Sequence, residues 1–127
     1  MKNNVTVGWF EIPVKDMTRA IAFYEKVFDC SLNLQDMGDF KMAWFPWEEN
    51  GKGAGGSLVY HEQFYEISPK AGVLIYFSSQ DCAIELAKVV EAGGTVQFEK
   101  RLIAPDIGYM GVFIDSEGNR IAIHSQQ

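Results

Sequence analysis

Two histidines, His61 and His124, one glutamate, Glu11, and one tyrosine, Tyr76, each stand in a strand-like run of this 127-residue chain. Side chains on a strand alternate between faces, and the parity of the four runs puts these groups on mixed faces that lie opposite purely apolar ones. A glutamate and a histidine brought together there could act as acid and base, since imidazole changes charge near neutral pH. Partial burial would raise the carboxyl pKa and lower that of the imidazole, while direct pairing would do the reverse. Two histidines and a carboxylate are also a ligand set that divalent metals accept. A plainer role stands beside both: a histidine near the end of a strand, as in "RIAIHS", can simply satisfy a neighbouring backbone or side-chain group.

The elements that must position these residues occur twice. "WFEIPVKDMTRAIAFYEKVF" from Trp9 is an alternating strand, an N-cap at Asp16 and a helix with Ala20, Tyr24, Val27 and Phe28 at helical spacing. "LIYFSSQDCAIELAKVVEAGG" from Leu74 repeats the order: a strand, Asp81 as N-cap, a helix with its stripe expected at Ile84, Ala87 and Val90, and a Gly93-Gly94 stop. Three strands follow each helix, about 31–36, 40–47 and 56–61 after the first and about 95–99, 109–114 and 119–124 after the second. The expectation is one α+β domain spanning 1–127, built from two tandem βαβββ modules of about 1–61 and 73–127 with a linker of about 62–72. "DSEG" has the composition of a type I turn, with Asp115 first and Gly118 fourth. "ENGKGAGG" is expected to be a flexible hairpin loop; a phosphate loop needs Ser or Thr after its lysine, and Lys52 is followed by Gly53.

Composition narrows the partners. A net charge of -6 and a pI near 4.8 give no basic field for nucleic acid or anionic lipid. "MKNNVTVGWF" lacks the apolar core of a secretory leader, so a cytoplasmic location is expected. Cys30 and Cys82 are far apart and outside any CxxC spacing, which makes them two free thiols rather than a disulfide or a zinc site.

Parity also sorts the aromatic residues. Phe10, Ile12 and Val14 share one face of the first strand and Trp9, Glu11 and Pro13 the other; Val73, Ile75 and Phe77 oppose Leu74 and Tyr76 in the fifth; Ile121 and Ile123 oppose Arg120, Ala122 and His124 in the last. In the fourth, Leu58 and Tyr60 oppose Ser57, Val59 and His61. The apolar faces belong under the two helices, which leaves the mixed faces to line a cleft. In "MAWFPW", Trp44 and Phe45 must point to opposite sides, so part of this aromatic run is expected to reach the cleft or a dimer surface.

Three motifs, "FEIPVKDMTRAIAFYEKVF", "VLIYFSSQDCAIELAKVVEAGGTV" and "GVFIDSEGNRIAIHS", together spanning nearly the whole chain, resemble the vicinal oxygen chelate superfamily of glyoxalase I, bleomycin-resistance proteins and extradiol dioxygenases. The resemblance is nearest to its subgroup of predicted enzymes related to lactoylglutathione lyase. It implies an open, barrel-like cleft between two βαβββ modules, the glyoxalase/bleomycin resistance fold, and commonly a homodimer. In metal-dependent members, His, Gln or Glu from the first, fourth, fifth and last strands hold a divalent ion. The matching positions here, seven before Asp16, seven before Asp81 and seven after Asp115, are Trp9, Leu74 and Ala122, with Val59 nearest in the fourth strand. None offers a lone pair suited to a borderline or hard cation.

No metal or other cofactor is therefore expected, a divalent ion being possible only through a displaced site of Glu11, His61 and His124. The resulting expectation is a small organic ligand in an aromatic cleft. Glu11 and His124 are its candidate catalytic or polar contacts, and Trp9, Trp44, Val59, His61, Leu74, Tyr76 and Ala122 its candidate binding wall. The enzyme alternative is a lyase or isomerase of the same superfamily, working through Glu11 and His124 or through the displaced metal.

Overall fold

The computed structural model describes residues 5–127, in which each module runs strand, helix, three strands. The first holds β1 (Trp9–Pro13), α1 (Met17–Phe28), β2 (Asn33–Asp36), β3 (Lys41–Trp44) and β4 (Gly55–Tyr60). The second holds β5 (Tyr76–Ser79), a helix in two short pieces, α2 (Cys82–Leu86) and α3 (Val89–Ala92), then β6 (Thr95–Ala104), β7 (Gly108–Ile114) and β8 (Arg120–Ser125). The two sheets have the orders β1-β4-β3-β2 and β5-β8-β7-β6, each with a parallel pair at one edge followed by antiparallel pairs, and they are separate sheets rather than a closed barrel. Among the described residues no helix is long and apolar enough to cross a membrane.

Local chemistry sets the helix ends. Asp16 Oδ1 accepts from the Arg19 N–H and Asp81 Oδ1 from the Ala83 N–H, so both aspartates cap as expected. The stripe Met17, Ala20, Phe23, Tyr24 and Val27 is buried. In the second module the expected stripe is corrected: Ile84, Ala87 and Val90 are exposed, while Cys82, Leu86 and Val89 are buried. Both sets recur at helical spacing, and the choice falls on the one with room opposite it. Leu86 fills the space that Gly111 of β7 leaves, where a Cβ would come within 2.4 Å of the leucine.

Strand parity holds across the core. Ile12, Val14, Leu58, Ile121 and Ile123 are buried with the helices, and Phe10 and Phe77 meet edge to face at 5.6 Å between centroids, joining the two sheets. Three boundaries differ from expectation. Val73 is 91% exposed, because β5 starts only at Tyr76 and leaves it in the linker. β6 continues to Ala104, since pairing with β7 carries "KRLIA" beyond the local strand signal. Gly55, expected in the flexible loop, opens β4 instead, one residue ahead of the strand expected from Gly56. Their missing side chains are used on both faces: a Cβ on Gly55 would lie 3.2 Å from the Trp47 ring and 3.3 Å from that of Trp9, and one on Gly56 would lie 2.3 Å from Phe10.

The turn after β7 ties the modules together. The Gly118 N–H donates to the Asp115 carbonyl, as the turn composition implies, but the side chains of Asp115, Glu117 and Asn119 turn inward and are buried. Asp115 accepts from the Tyr24 hydroxyl at 2.7 Å, and Asn119 donates to the Pro13 carbonyl at 2.7 Å. Glu117 accepts from the backbone N–H groups of Lys15 and Asp16, from Ser116 Oγ and from both Nε and Nη2 of Arg19. Burial opposes its charge, yet these donors outweigh that and hold the carboxyl at about 2, below its ordinary 4.5.

Two outcomes are expected. Gly56→Ala must displace Phe10 from its packing on Phe45 and Phe77, lowering stability by roughly 1–3 kcal/mol in chemical denaturation. Glu117→Gln should cost about 2–3 kcal/mol at pH 7, at the low end for a buried pair because Arg19 is half exposed. A carboxyl with a lowered folded pKa stabilises fully above its unfolded value and loses that contribution as pH falls toward the folded one. The gap between wild type and Glu117→Gln should therefore close between pH 4.5 and about 2; a gap that stays constant down to the lower limit would contradict this role.

Candidate functional site

A cavity of about 950 Å³ runs along the seam where β1 and β5, the inner edge strands of the two sheets, approach each other. Trp9, Glu11, Leu74 and Tyr76 line it, so the structure brings four of the expected site residues together. Trp44, Val59, His61, Ala122 and His124 lie outside its lining. Val59 and Ala122 face away from the helices as parity requires, but both are wholly buried.

The first sheet supplies an aromatic shelf beside the cavity. Registers place Glu11 of β1 next to Ser57 of β4, and Ser57 next to Trp44 of β3, all on the face away from α1. Trp9 and Trp44 meet edge to face at 6.4 Å, and Trp47 lies over Gly55. The three indoles are 46%, 42% and 57% exposed, an unusual presentation for the largest apolar side chain. Phe45, one residue from Trp44, packs instead on Tyr24 and Phe77 in the core, so the alternation expected in "MAWFPW" is present.

Glu11 is the polar centre of this shelf. Its Oε1 accepts from the Tyr65 hydroxyl at 2.6 Å and its Oε2 from Trp9 Nε1 at 3.4 Å. The hydrogen bond to Glu11, then burial and the carboxylate charge, push the Tyr65 hydroxyl up to about 12, so Tyr65 remains a donor at any physiological pH. Ser57 Oγ is buried without a hydrogen-bond partner. Positive charge reaches the cavity from Lys52 of the glycine loop and from Arg120.

The two imidazoles hold other partners. His124 Nε2 lies 2.7 Å from the Ile107 carbonyl, which requires the proton on that nitrogen and clips the β6–β7 turn to β8. His61 Nδ1 accepts from the Gln63 N–H, and its ring stacks on Phe64 at 4.3 Å. Neither is hydrogen-bonded or ion-paired to Glu11, and among the described residues no three His, Cys, Asp or Glu side chains converge on a point that could hold a metal. Trp9, Leu74, Val59 and Ala122 bring no side-chain ligand atoms suited to a divalent ion, and Glu11, His61 and His124 do not form a three-ligand group.

Sequence reasoning missed Tyr65 and left Trp47 and Ser57 out of the expected binding wall. Parity places Ser57 on the mixed face of β4 without showing that its hydroxyl lacks a partner, and Trp47 lies past the end of β3, where parity assigns no direction. Tyr65 lies in the linker, where no periodicity assigns a direction.

Comparison with known proteins agrees with this architecture. A mutant of glyoxalase I from Zea mays superposes with a TM-score of 0.74 at 20% identity, covering 94% of this chain and 46% of that one, so the chain spans about half the length of the maize protein. A glyoxylase/bleomycin resistance protein/dioxygenase domain from Frankia sp. EAN1pec gives 0.73 at 14% identity, covering 98% and 100%. TnmS3, an antibiotic binding protein from Streptomyces sp. CB03234, gives 0.70 at 21% identity with both chains covered in full. No curated protein matches the chain in sequence. Residues 6–123 match the family model, and with the paired βαβββ modules this places the chain in the Glyoxalase/Bleomycin resistance protein/Dioxygenase superfamily, to which it belongs.

Proposed function

We propose that the protein binds a planar organic molecule against the tryptophan shelf of its first module and the adjoining seam, without a divalent metal. The observation that carries this reading is the set of three indoles, Trp9, Trp44 and Trp47, held about half exposed beside a cavity large enough for a drug-sized ligand. Exposed indoles on a rigid strand framework offer flat apolar area with little conformational entropy to lose, which suits ring stacking. Tyr76, 51% exposed on the opposite side of the seam, supplies a second aromatic wall. The similarity to TnmS3, an antibiotic binding protein of full matching length, supports a binding rather than a metal-centred role. The exposed Phe98, Leu102 and Ile107 on the β6–β7 hairpin support a homodimer as the working assembly.

Quenching of tryptophan emission by planar aromatic compounds such as acridine tests the reading. Trp44→Ala is expected to weaken binding about tenfold, corresponding to roughly 1.4 kcal/mol of lost stacking. Dialysis against a chelator should change neither affinity nor thermal midpoint. Binding that survives loss of both Trp9 and Trp44, or that requires added Ni, Zn, Fe or Mn, would sink the proposal.

A further inference from the structure

The polar centre of the site is already occupied by the chain itself. Tyr65 follows Glu11 by 54 residues, yet its phenolic hydroxyl donates to the carboxylate at 2.6 Å while its ring lies 6.3 Å from Phe40. The segment that carries it belongs to no strand or helix, whereas Glu11 sits in the middle of β1. A phenol on a fixed carboxylate beside an indole is a small planar donor ligand supplied in cis.

The carboxylate has capacity left over. It can accept about four hydrogen bonds, and it receives one short bond from Tyr65 and one long bond from Trp9. It takes part in none of the ion pairs among the described residues. One register step away on the same face, Ser57 Oγ is unpartnered but wholly buried and outside the cavity lining, so the open acceptor positions on this face are those of Glu11. The Glu11 carboxylate only accepts, so it favours a ligand edge that presents a donor hydrogen, while the positive charges of Lys52 and Arg120 stand elsewhere on the lining.

We propose, building on the aromatic binding site above, that Glu11 anchors the polar edge of a planar ligand carrying a phenolic hydroxyl or ring N–H donor, and that Tyr65 holds this anchor until the ligand's donor replaces its own. The ligand class is thus narrower than flat and apolar: it must present a hydrogen to Glu11 from the edge of a ring. Tyr65 lowers the apparent affinity by competing for the same acceptor, so ligands that stack without a donor gain nothing from its removal.

The test compares β-naphthol with its methyl ether, which lacks only the donor hydrogen, by quenching of tryptophan emission in wild type, Tyr65→Phe and Glu11→Gln. Tyr65→Phe keeps the ring and removes the competing hydroxyl. It is expected to tighten β-naphthol about fivefold and to leave the ether within about twofold. Glu11→Gln should reduce the preference for β-naphthol over the ether. Equal binding of the two compounds by wild type and Tyr65→Phe would overturn the anchor while leaving the aromatic site standing. Weaker binding of both to Tyr65→Phe would make Tyr65 part of the wall and overturn its role as competitor. Absence of quenching by either compound in every variant would overturn anchor and aromatic site together.

Discussion

The Glu117 carboxylate keeps its charge inside the protein because donors from two modules surround it. Two are backbone N–H groups at the junction between β1 and α1, a location where the partial positive end of the helix also favours an anion. Arg19 adds two more from the first turn of the same helix. Removing any large part of this shell would leave a buried charge, so the second module cannot shift against the first without losing it. Asp115 on Tyr24 and Asn119 on the Pro13 carbonyl act in the same place and the same sense. This turn fixes β1 relative to β8, alongside the Phe10–Phe77 contact that joins the two sheets along the seam.

The other module does not reciprocate. The loop between β3 and β4 occupies the corresponding place in the first module, but it is longer, glycine-bearing and exposed, and it lines the cavity through Pro46, Lys52, Gly53 and Ala54. The N-terminus of α2 is served instead from its own module, by Ser125 Oγ on the Cys82 N–H and by Lys100 on Asp81. One seam contact is therefore closed by buried polar groups and its pseudo-equivalent is left open, which is where a ligand has room. The polar turn supplies rigidity, and the glycine loop supplies access.

Much of the architecture was legible in local pattern. Caps at Asp16 and Asp81, the alternation in β1 and β8 and the opposed Trp44 and Phe45 all follow from periods that a few neighbouring residues set. The stripe of the second helix was not, because two stripes satisfy helical spacing and only Gly111, on a distant strand, decides between them. The site was legible only by face. Parity put Glu11 and His124 on mixed faces of different sheets and said nothing about their separation, and the structure gives the imidazole to Ile107 and the carboxylate to Tyr65. Glu117 shows the same limit in another form: "DSEGN" is visible as a turn, while a single side chain reaching back 98 residues has no local signature.

That long reach has a consequence for how the protein is made. During synthesis, the Lys15 and Asp16 N–H groups that lead into α1 lack their carboxylate until residue 117 has left the ribosome, whereas β4, the strand paired with β1, emerges earlier. Contacts of such long sequence separation form late, since the loop they close must be ordered first. The nascent first module is thus expected to pair β1 with β4 before the Glu117 carboxylate is available, and to be tied to the second module only once the turn after β7 has emerged.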